Sequence, residues 1–261
     1  MMEFRDRRVL VTGGTRGIGR AAVEGFLAAG ASVAVNGRTA ESVARAAQEL
    51  GAGDRIVAAP GDTATAAGCK AVVEAAVAGL GGLDVLVNNA GSGGGGPVGD
   101  LEEDLWDKVV DTNLKGTFFC TKYALPALRE RGGAIVNIAS VRAVMGAAGA
   151  SIYCASKGGV VAMTKAMAIE FAPSIRVNAL LPGAIDTDML QALAVRMAGD
   201  VEKGYGMMSA GTPLGRVARP QEMADAILYL ASPRSTYITG TALLADGGMA
   251  AGSTNLDQKA S

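Results

Sequence analysis

Short apolar runs alternate with longer Ala-rich stretches along most of the chain. The apolar runs read as strands at 9–11, 33–35, 56–58, 85–87, 135–138, 176–179 and 241–244. The longer stretches read as helices near 18–29, 40–50, 66–80, 101–129, 156–171 and 221–230. A strand that is apolar throughout is covered on both faces, and strict strand–helix alternation marks repeated βαβ units. The pattern predicts an α/β protein, a doubly wound, seven-stranded parallel sheet with helices on both faces.

Three segments depart from the alternation. Gly91-Ser92-Gly93-Gly94-Gly95-Gly96-Pro97 has the composition of a linker, but it follows a strand directly and reads as a flexible loop at that strand's carboxyl end, where open α/β sheets bind ligands. The segment 186–216 carries Met189, Met197, Met207 and Met208 and no clear strand. It reads as a lid over a pocket, the plainer alternative being ordinary surface helix and loop. The tail 251–261 is polar.

Composition narrows the class. A chain of 261 residues with 49% hydrophobic content is long enough for one large core, so a single domain spanning 1–261 is expected. Its 24 Lys+Arg against 25 Asp+Glu, with no long run of either sign, give no nucleic-acid footprint, and small-molecule partners fit better. The mean hydropathy of +0.28 comes from Ala, Val and Leu spread through the chain, with no export or membrane-spanning stretch. Cys69, Cys120 and Cys154 are odd in number and lack metal spacing, and histidine is absent. This reads as a reduced, cytoplasmic protein without a metal site.

The first predicted strand runs into Thr12-Gly13-Gly14-Thr15-Arg16-Gly17-Ile18-Gly19 and then helix. A glycine turn there lets backbone amides approach a pyrophosphate at a helix N-terminus, which makes Gly13, Thr15, Arg16, Gly17, Ile18 and Gly19 candidate nucleotide contacts. The second strand ends Val35-Asn36-Gly37-Arg38, with no acid to accept from a ribose 2′-hydroxyl. Arg16 and Arg38 are placed to clamp a 2′-phosphate, which favours NADP(H) over NAD(H); solvated surface arginines are the alternative. Tyr153 and Lys157 stand four residues apart in Tyr-Cys-Ala-Ser-Lys, so on a helix they are neighbours. An ammonium beside a phenol favours the phenolate and pulls a pKa near ~10 toward neutrality.

T-G-x-x-x-G-x-G, then Asn88-Asn89-Ala90-Gly91, Ser140 and Y-x-x-x-K resemble the short-chain dehydrogenase/reductase family in order and separation, from Arg8 to Gly248. The resemblance implies a Rossmann-like fold and a catalytic set of Asn113, Ser140, Tyr153 and Lys157. By itself Ser140 reads as a turn or cap residue. With Tyr153 thirteen positions on, as the family spaces them, its hydroxyl is expected on the substrate oxygen. Asn113 matches the family asparagine that holds a water linking the lysine to solvent, and a surface position is the alternative. An asparagine inside a helix competes for backbone hydrogen bonds, so a local kink is expected there. Further cofactor contacts carried over are Asp62 and Thr63 at the adenine, Asn89, Ala90 and Gly91 beside the ribose, and Pro182, Gly183, Ile185 and Thr187 at the nicotinamide carboxamide.

The implied reaction is hydride transfer between nicotinamide and a carbonyl carbon. Tyr153 donates the proton, Lys157 lowers the tyrosine pKa and binds the ribose, and Ser140 shares the developing charge on oxygen. Relatives over the same motifs include 3-oxoacyl-carrier-protein reductases, reductases of secondary metabolism and NAD-dependent sugar-alcohol dehydrogenases, so the carbonyl or alcohol substrate stays open. A non-catalytic NADP-binding regulator would be expected to lose one of Ser140, Tyr153 or Lys157, and all three are present. Cys154 beside Tyr153 has no histidine to activate it and reads as a small core side chain. Relatives pair through the two long helices into homotetramers or homodimers, and Ala162, Ala166 and Ile169 at helical spacing suit such packing.

Overall fold

The computed structural model describes residues 3–252, so the tail expected at 251–261 lies outside the described residues from 253 onward. In chain order the elements are β1 (Arg8–Val11), α1 (Gly17–Ala28), β2 (Ser32–Val35), α2 (Ala40–Leu50), β3 (Ile56–Ala58), α3 (Ala66–Leu80), β4 (Val85–Asn88), α4 (Glu103–Val110), α5 (Gly116–Arg129), β5 (Ala134–Ile138), α6 (Ser151–Phe171), β6 (Arg176–Pro182), α7 (Asp188–Ala198), α8 (Val201–Ala210), α9 (Pro220–Ala231) and β7 (Ala242–Ala245). The strands form one parallel sheet in the order β3-β2-β1-β4-β5-β6-β7. Strand order reverses between β1 and β4, which opens a crevice at their carboxyl ends.

The period-2 alternation of strand side chains divides the core between the two faces. Val9, Val11, Val33, Val35, Val85, Val87, Val136 and Ile138 turn to the face covered by α1 and α9. Leu10, Ala34, Leu86, Ile135 and Val177 turn to the other, against α3, α5 and the end of α6. Every residue of β4 and β5 is buried, as a strand covered on both faces requires. At the edge, β7 is only partly covered and Leu244 is exposed.

Local chemistry sets the element ends. Thr39, Thr65, Thr187 and Asp200 cap α2, α3, α7 and α8 by accepting first-turn N–H groups, and α2, α3 and α7 stop at left-handed Gly51, Gly81 and Gly199.

Several expected boundaries shift. The helix expected at 101–129 is α4 and α5 joined by a π-helical turn at Asp111–Lys115. The helix expected from residue 156 begins at Ser151, which brings Tyr153 fully inside it. The segment 186–216 folds into the neighbouring helices α7 and α8, and the last strand sits one residue later than expected.

At the amino edge of the sheet, Asp84 is 3% exposed and sits among arginines. It accepts from the Arg8 backbone N–H at 2.9 Å, Arg8 Nε at 2.8 Å and Arg8 Nη2 at 3.2 Å, with Arg131 at 3.5 Å and Arg7 at 3.6 Å. Burial alone would raise this carboxyl, but the hydrogen bonds and charge of Arg8 prevail and hold it below its ordinary value.

Candidate active site

The glycine turn follows β1 at the crevice. Gly13 and Gly17 take φ of 61° and 54°, where a side chain is strained. At Gly19 a Cβ would collide with the Gly13 carbonyl and Asn89 Nδ2, so only glycine lets α1 start this close to the end of β4. Thr12 Oγ1 accepts from the N–H groups of Asn89 and Ala90 at 2.9 and 3.0 Å, and Asn89 Nδ2 donates to the Thr12 and Gly13 carbonyls at 2.9 and 3.0 Å. Asn36 ties the next strand end in: its Oδ1 accepts the Gly13 N–H at 3.1 Å, and its Nδ2 donates to the Ala59 and Gly61 carbonyls. The helix that follows has no side-chain cap and no acid in its first turn. Open first-turn N–H groups with the positive end of a helix dipole are a cradle for an anionic phosphate.

The other expected nucleotide contacts surround this turn. Thr15 lies against the end of β2, where a Cβ on Gly37 would come within 2.7 Å of its methyl. Arg38, next in line, is exposed. Arg16 is not a bare solvated arginine: its Nη1 pairs with Asp188 at 3.1 Å, both side chains about two-thirds exposed. Asp62 is exposed and its Oδ1 accepts the Ala64 N–H at 3.0 Å, while Thr63 is buried beside it. Pro182 ends β6, the Gly183 N–H donates to the Ala245 carbonyl at 3.0 Å, and Ile185 is buried in a bridge to Ala218. Thr187 lies across the crevice from the glycine turn, its methyl 3.2 Å from where a Gly17 Cβ would stand. The structure therefore brings the turn, the β4 end and the Pro182–Thr187 stretch to one groove.

The chemical residues meet at the adjoining strand ends. Tyr153 and Lys157 lie one turn apart on α6, the ammonium 5.9 Å from the phenol ring centre. Lys157 is 4% exposed and Nζ donates to the Ile138 carbonyl at 2.8 Å. No carboxylate pairs with it among the described residues, and burial lowers its pKa to about 8. Burial likewise raises the Tyr153 phenol, with the Ser140 hydroxyl pulling the other way. The expected drop of the phenol toward neutrality is thus absent: loss of hydration outweighs the Ser140 hydrogen bond and the Arg142 charge that pull it down. Ser140 caps the short 3₁₀ turn Val141–Ala143: its Oγ accepts the Arg142 N–H at 3.1 Å, which leaves its own proton free to donate.

Asn113 occupies the π-helical turn and is fully buried, so the surface alternative is set aside. Its Oδ1 accepts the Ser92 N–H at 2.8 Å, and its Nδ2 donates to the Ser92 carbonyl and Ser156 Oγ, both at 3.0 Å. Ser156 Oγ in turn donates to the Tyr153 carbonyl at 2.8 Å. The expected kink is this π turn, where Thr117 Oγ1 donates to the Asn113 carbonyl at 2.8 Å. Gly91 joins the group: a Cβ there would stand 3.3 Å from Asn113 Oδ1 and 3.6 Å from Lys157 Nζ.

Sequence reasoning missed the amides that brace the site. Asn88 Nδ2 donates to Thr121 Oγ1 and Asn137 Oδ1, and Asn137 Nδ2 donates to Thr164 Oγ1, a ladder from α5 through β4 and β5 to α6. An asparagine inside an otherwise apolar strand was the available signal, since a buried amide needs partners. A shallow cleft of about 350 Å³ lies between the start of α6 and the segment before α4, lined by Val98, Leu101, Glu102, Glu103, Trp106, Ser151 and Ile152.

Comparison with known proteins agrees with this fold. Residues 13–250 match the family model described as enoyl-(acyl carrier protein) reductase. The chain is 39% identical to 3-oxoacyl-[acyl-carrier-protein] reductase of Chlamydia muridarum, covering 94% of this chain and 98% of the relative. It is 38% identical to L-rhamnose 1-dehydrogenase (NAD(P)(+)) of Azotobacter vinelandii over 94% of this chain and 96% of that one. A solved short-chain dehydrogenase/reductase of Brucella melitensis, titled glucose/ribitol dehydrogenase, superposes with a TM-score of 0.88 at 35% identity, covering 95% of this chain and 98% of that one. With its glycine turn, parallel sheet and Tyr–Lys helix, the chain belongs to the short-chain dehydrogenase/reductase family, NAD(P)-dependent oxidoreductases of CH–OH and C=O groups.

Proposed function

We propose that the protein is an NADPH-dependent reductase of a ketone, or catalyses the reverse oxidation of the matching secondary alcohol with NADP+ as hydride acceptor. The observation that carries this is the junction of half-buried Tyr153 with buried Ser140, Lys157 and Asn113 at the edge of a groove whose glycine turn fits a dinucleotide phosphate. When bound, the nicotinamide supplies or accepts the hydride. The glycine turn from Gly13 to Gly19, Asp62, Thr63, Asn89, Ala90, Gly91, Tyr153, Lys157 and the Pro182–Thr187 stretch would hold the dinucleotide. Exposed Arg38 and Arg16, with no acid at the end of β2, favour the 2′-phosphate form.

Tyr153 acts as the acid in the reducing direction. Burial keeps its phenol protonated, so the proton is loaded for delivery to the carbonyl oxygen. Ser140, whose oxygen already accepts from the Arg142 backbone, donates its proton to the same oxygen and shares the charge that develops there. Lys157 spends one N–H on the Ile138 carbonyl and keeps two for the ribose hydroxyls and for a water beside Gly91. Asn113 fixes that corner from the π turn and, through Ser156, steadies the backbone of Tyr153.

The segment 186–216, now α7 and α8, serves as the lid. Met189 Sδ lies 3.4 Å from where a Gly93 Cβ would stand, so the lid reaches the glycine tract across the mouth of the site. Ala162, Ala166 and Ile169 form an exposed face on α6, which fits association into a homodimer or homotetramer. The partner substrate is a small carbonyl or alcohol compound, and neither nucleic acid nor membrane enters the reading. No helix among the described residues is long and apolar enough to cross a membrane.

The test offers the purified protein a panel of 3-oxoacyl thioesters, sugars and simple ketones with NADPH and with NADH. Ketone-dependent NADPH oxidation, faster than with NADH, is the expected result. Fluorescence enhancement of NADPH on binding, with no oxidation across the panel, would instead identify a non-catalytic NADP-binding regulator.

A further inference from the structure

We propose that Asp188 is a specificity-determining residue for the cofactor: it occupies Arg16 and so tempers the preference for a dinucleotide carrying a 2′-phosphate. The proposal rests on the reading of Arg16 as a phosphate contact.

Arg16 stands at the N-cap of α1 with an extended backbone (φ −156°, ψ 170°) and offers that helix no cap. Its guanidinium instead crosses the groove to the first residue of α7, Nη1 meeting Asp188 Oδ2 at 3.1 Å. The pair is not a chance meeting of two long side chains. One residue further on from Arg16, Gly17 lies against Thr187, whose methyl would be 3.2 Å from a Cβ at Gly17. The Thr187 side chain therefore already stands close to the glycine turn, and Arg16 and Asp188 flank that approach. Asp188 is held in place from its own side: Thr187 caps α7 through the Leu190 N–H, and an acid in the first turn is favoured by the helix dipole.

An arginine fork that binds a carboxylate uses donors that a phosphate monoester also requires. At neutral pH such a phosphate carries about −1.5 to −2 charge. Engaging Arg16 with it draws donors from Asp188 and leaves two anions facing each other. A dinucleotide without the phosphate makes no such demand, and the Arg16–Asp188 pair persists over it. Asp188 thus acts selectively against the phosphorylated cofactor. The side chains are 71% and 68% exposed, so the exchange is modest and reversible.

The experiment measures dissociation constants of NADP+ and NAD+ by calorimetry for the parent, Asp188→Asn and Arg16→Met, with a thermal melt to confirm folding. Asp188→Asn is expected to tighten NADP+ by roughly two- to five-fold, the range an exposed ion pair supports, and to change NAD+ by less than about 1.5-fold. Raising the salt concentration should shrink the gap between parent and Asp188→Asn for NADP+. If Arg16→Met weakens NADP+ selectively while Asp188→Asn shifts neither cofactor, or both equally, the role given to Asp188 is overturned and the cofactor reading stands. If the parent binds both cofactors alike and Arg16→Met changes neither, both are overturned.

Discussion

Two buried charges stand at opposite edges of the same sheet and are treated in opposite ways. Asp84, at the amino edge, is wrapped by Arg8 with Arg7 and Arg131 nearby, and its charged form is favoured. Lys157, at the carboxyl edge, has a single carbonyl partner and no carboxylate among the described residues, and its charged form is disfavoured. The first arrangement satisfies a charge so that strands β1, β4 and the turn before β5 stay joined. The second leaves a charge under-compensated, which is what a group that must interact with an incoming molecule needs.

The sharpest way to break the contrast is at the functional edge. Tyr153→Phe removes the proton that the Lys157 corner serves, and turnover of any accepted ketone is expected to fall by about 10²–10⁴-fold with the fold intact, measured by steady-state reduction and circular dichroism. Survival of activity within a few-fold of the parent would remove Tyr153 from the acid role. Lys157→Met should abolish most turnover as well, yet its melting temperature should stay within a few degrees of the parent. Relief of a buried charge offsets the unmet Ile138 carbonyl, worth ~1–3 kcal/mol. Asp84→Ala should show the reverse, a loss of about 3 kcal/mol in denaturant titration with turnover per folded molecule unchanged. A large drop in turnover there would mean the amino edge is coupled to the chemistry.

The pH dependence separates the two charges most finely. Lys157 titrates near 8 when folded against an ordinary 10.5, so the unfolded chain binds more protons between these values and stability rises with pH across that window. Asp84 has a folded value below its ordinary 3.8, so its contribution is present above that pH and fades as acid passes through the folded value. With Lys157 acting as an ammonium in reduction, as proposed, kcat/KM is expected to decline above about pH 8. A Lys157→Met protein should lose the alkaline rise in stability and keep the acid fall.

Much of this is legible in the sequence. The apolar runs located the strands because a strand buried on both faces has little latitude in composition, and β4 and β5 are buried at every position. The glycine turn was legible because Gly13, Gly17 and Gly19 each do something a side chain would prevent. The expectation that Lys157 draws the Tyr153 phenol down was not met. Spacing on a helix reports proximity, and whether proximity or dehydration prevails depends on how deeply other elements bury the pair. The π turn at Asp111–Lys115 was foreseen only as a kink, since its partners, Ser92 and Ser156, are 21 and 43 residues away from Asn113.

The sequence by itself determined the doubly wound sheet, the position of the glycine turn and the Tyr153–Lys157 pair, because each depends on residue type and local spacing. Only the tertiary structure decided that Lys157 is buried with a carbonyl for company, that Asn36, Asn88 and Asn137 brace the strand ends, and that Arg16 answers to Asp188. Those outcomes depend on which groups long-range packing leaves within hydrogen-bond reach and which it strips of water, and neither is encoded at any one stretch of chain.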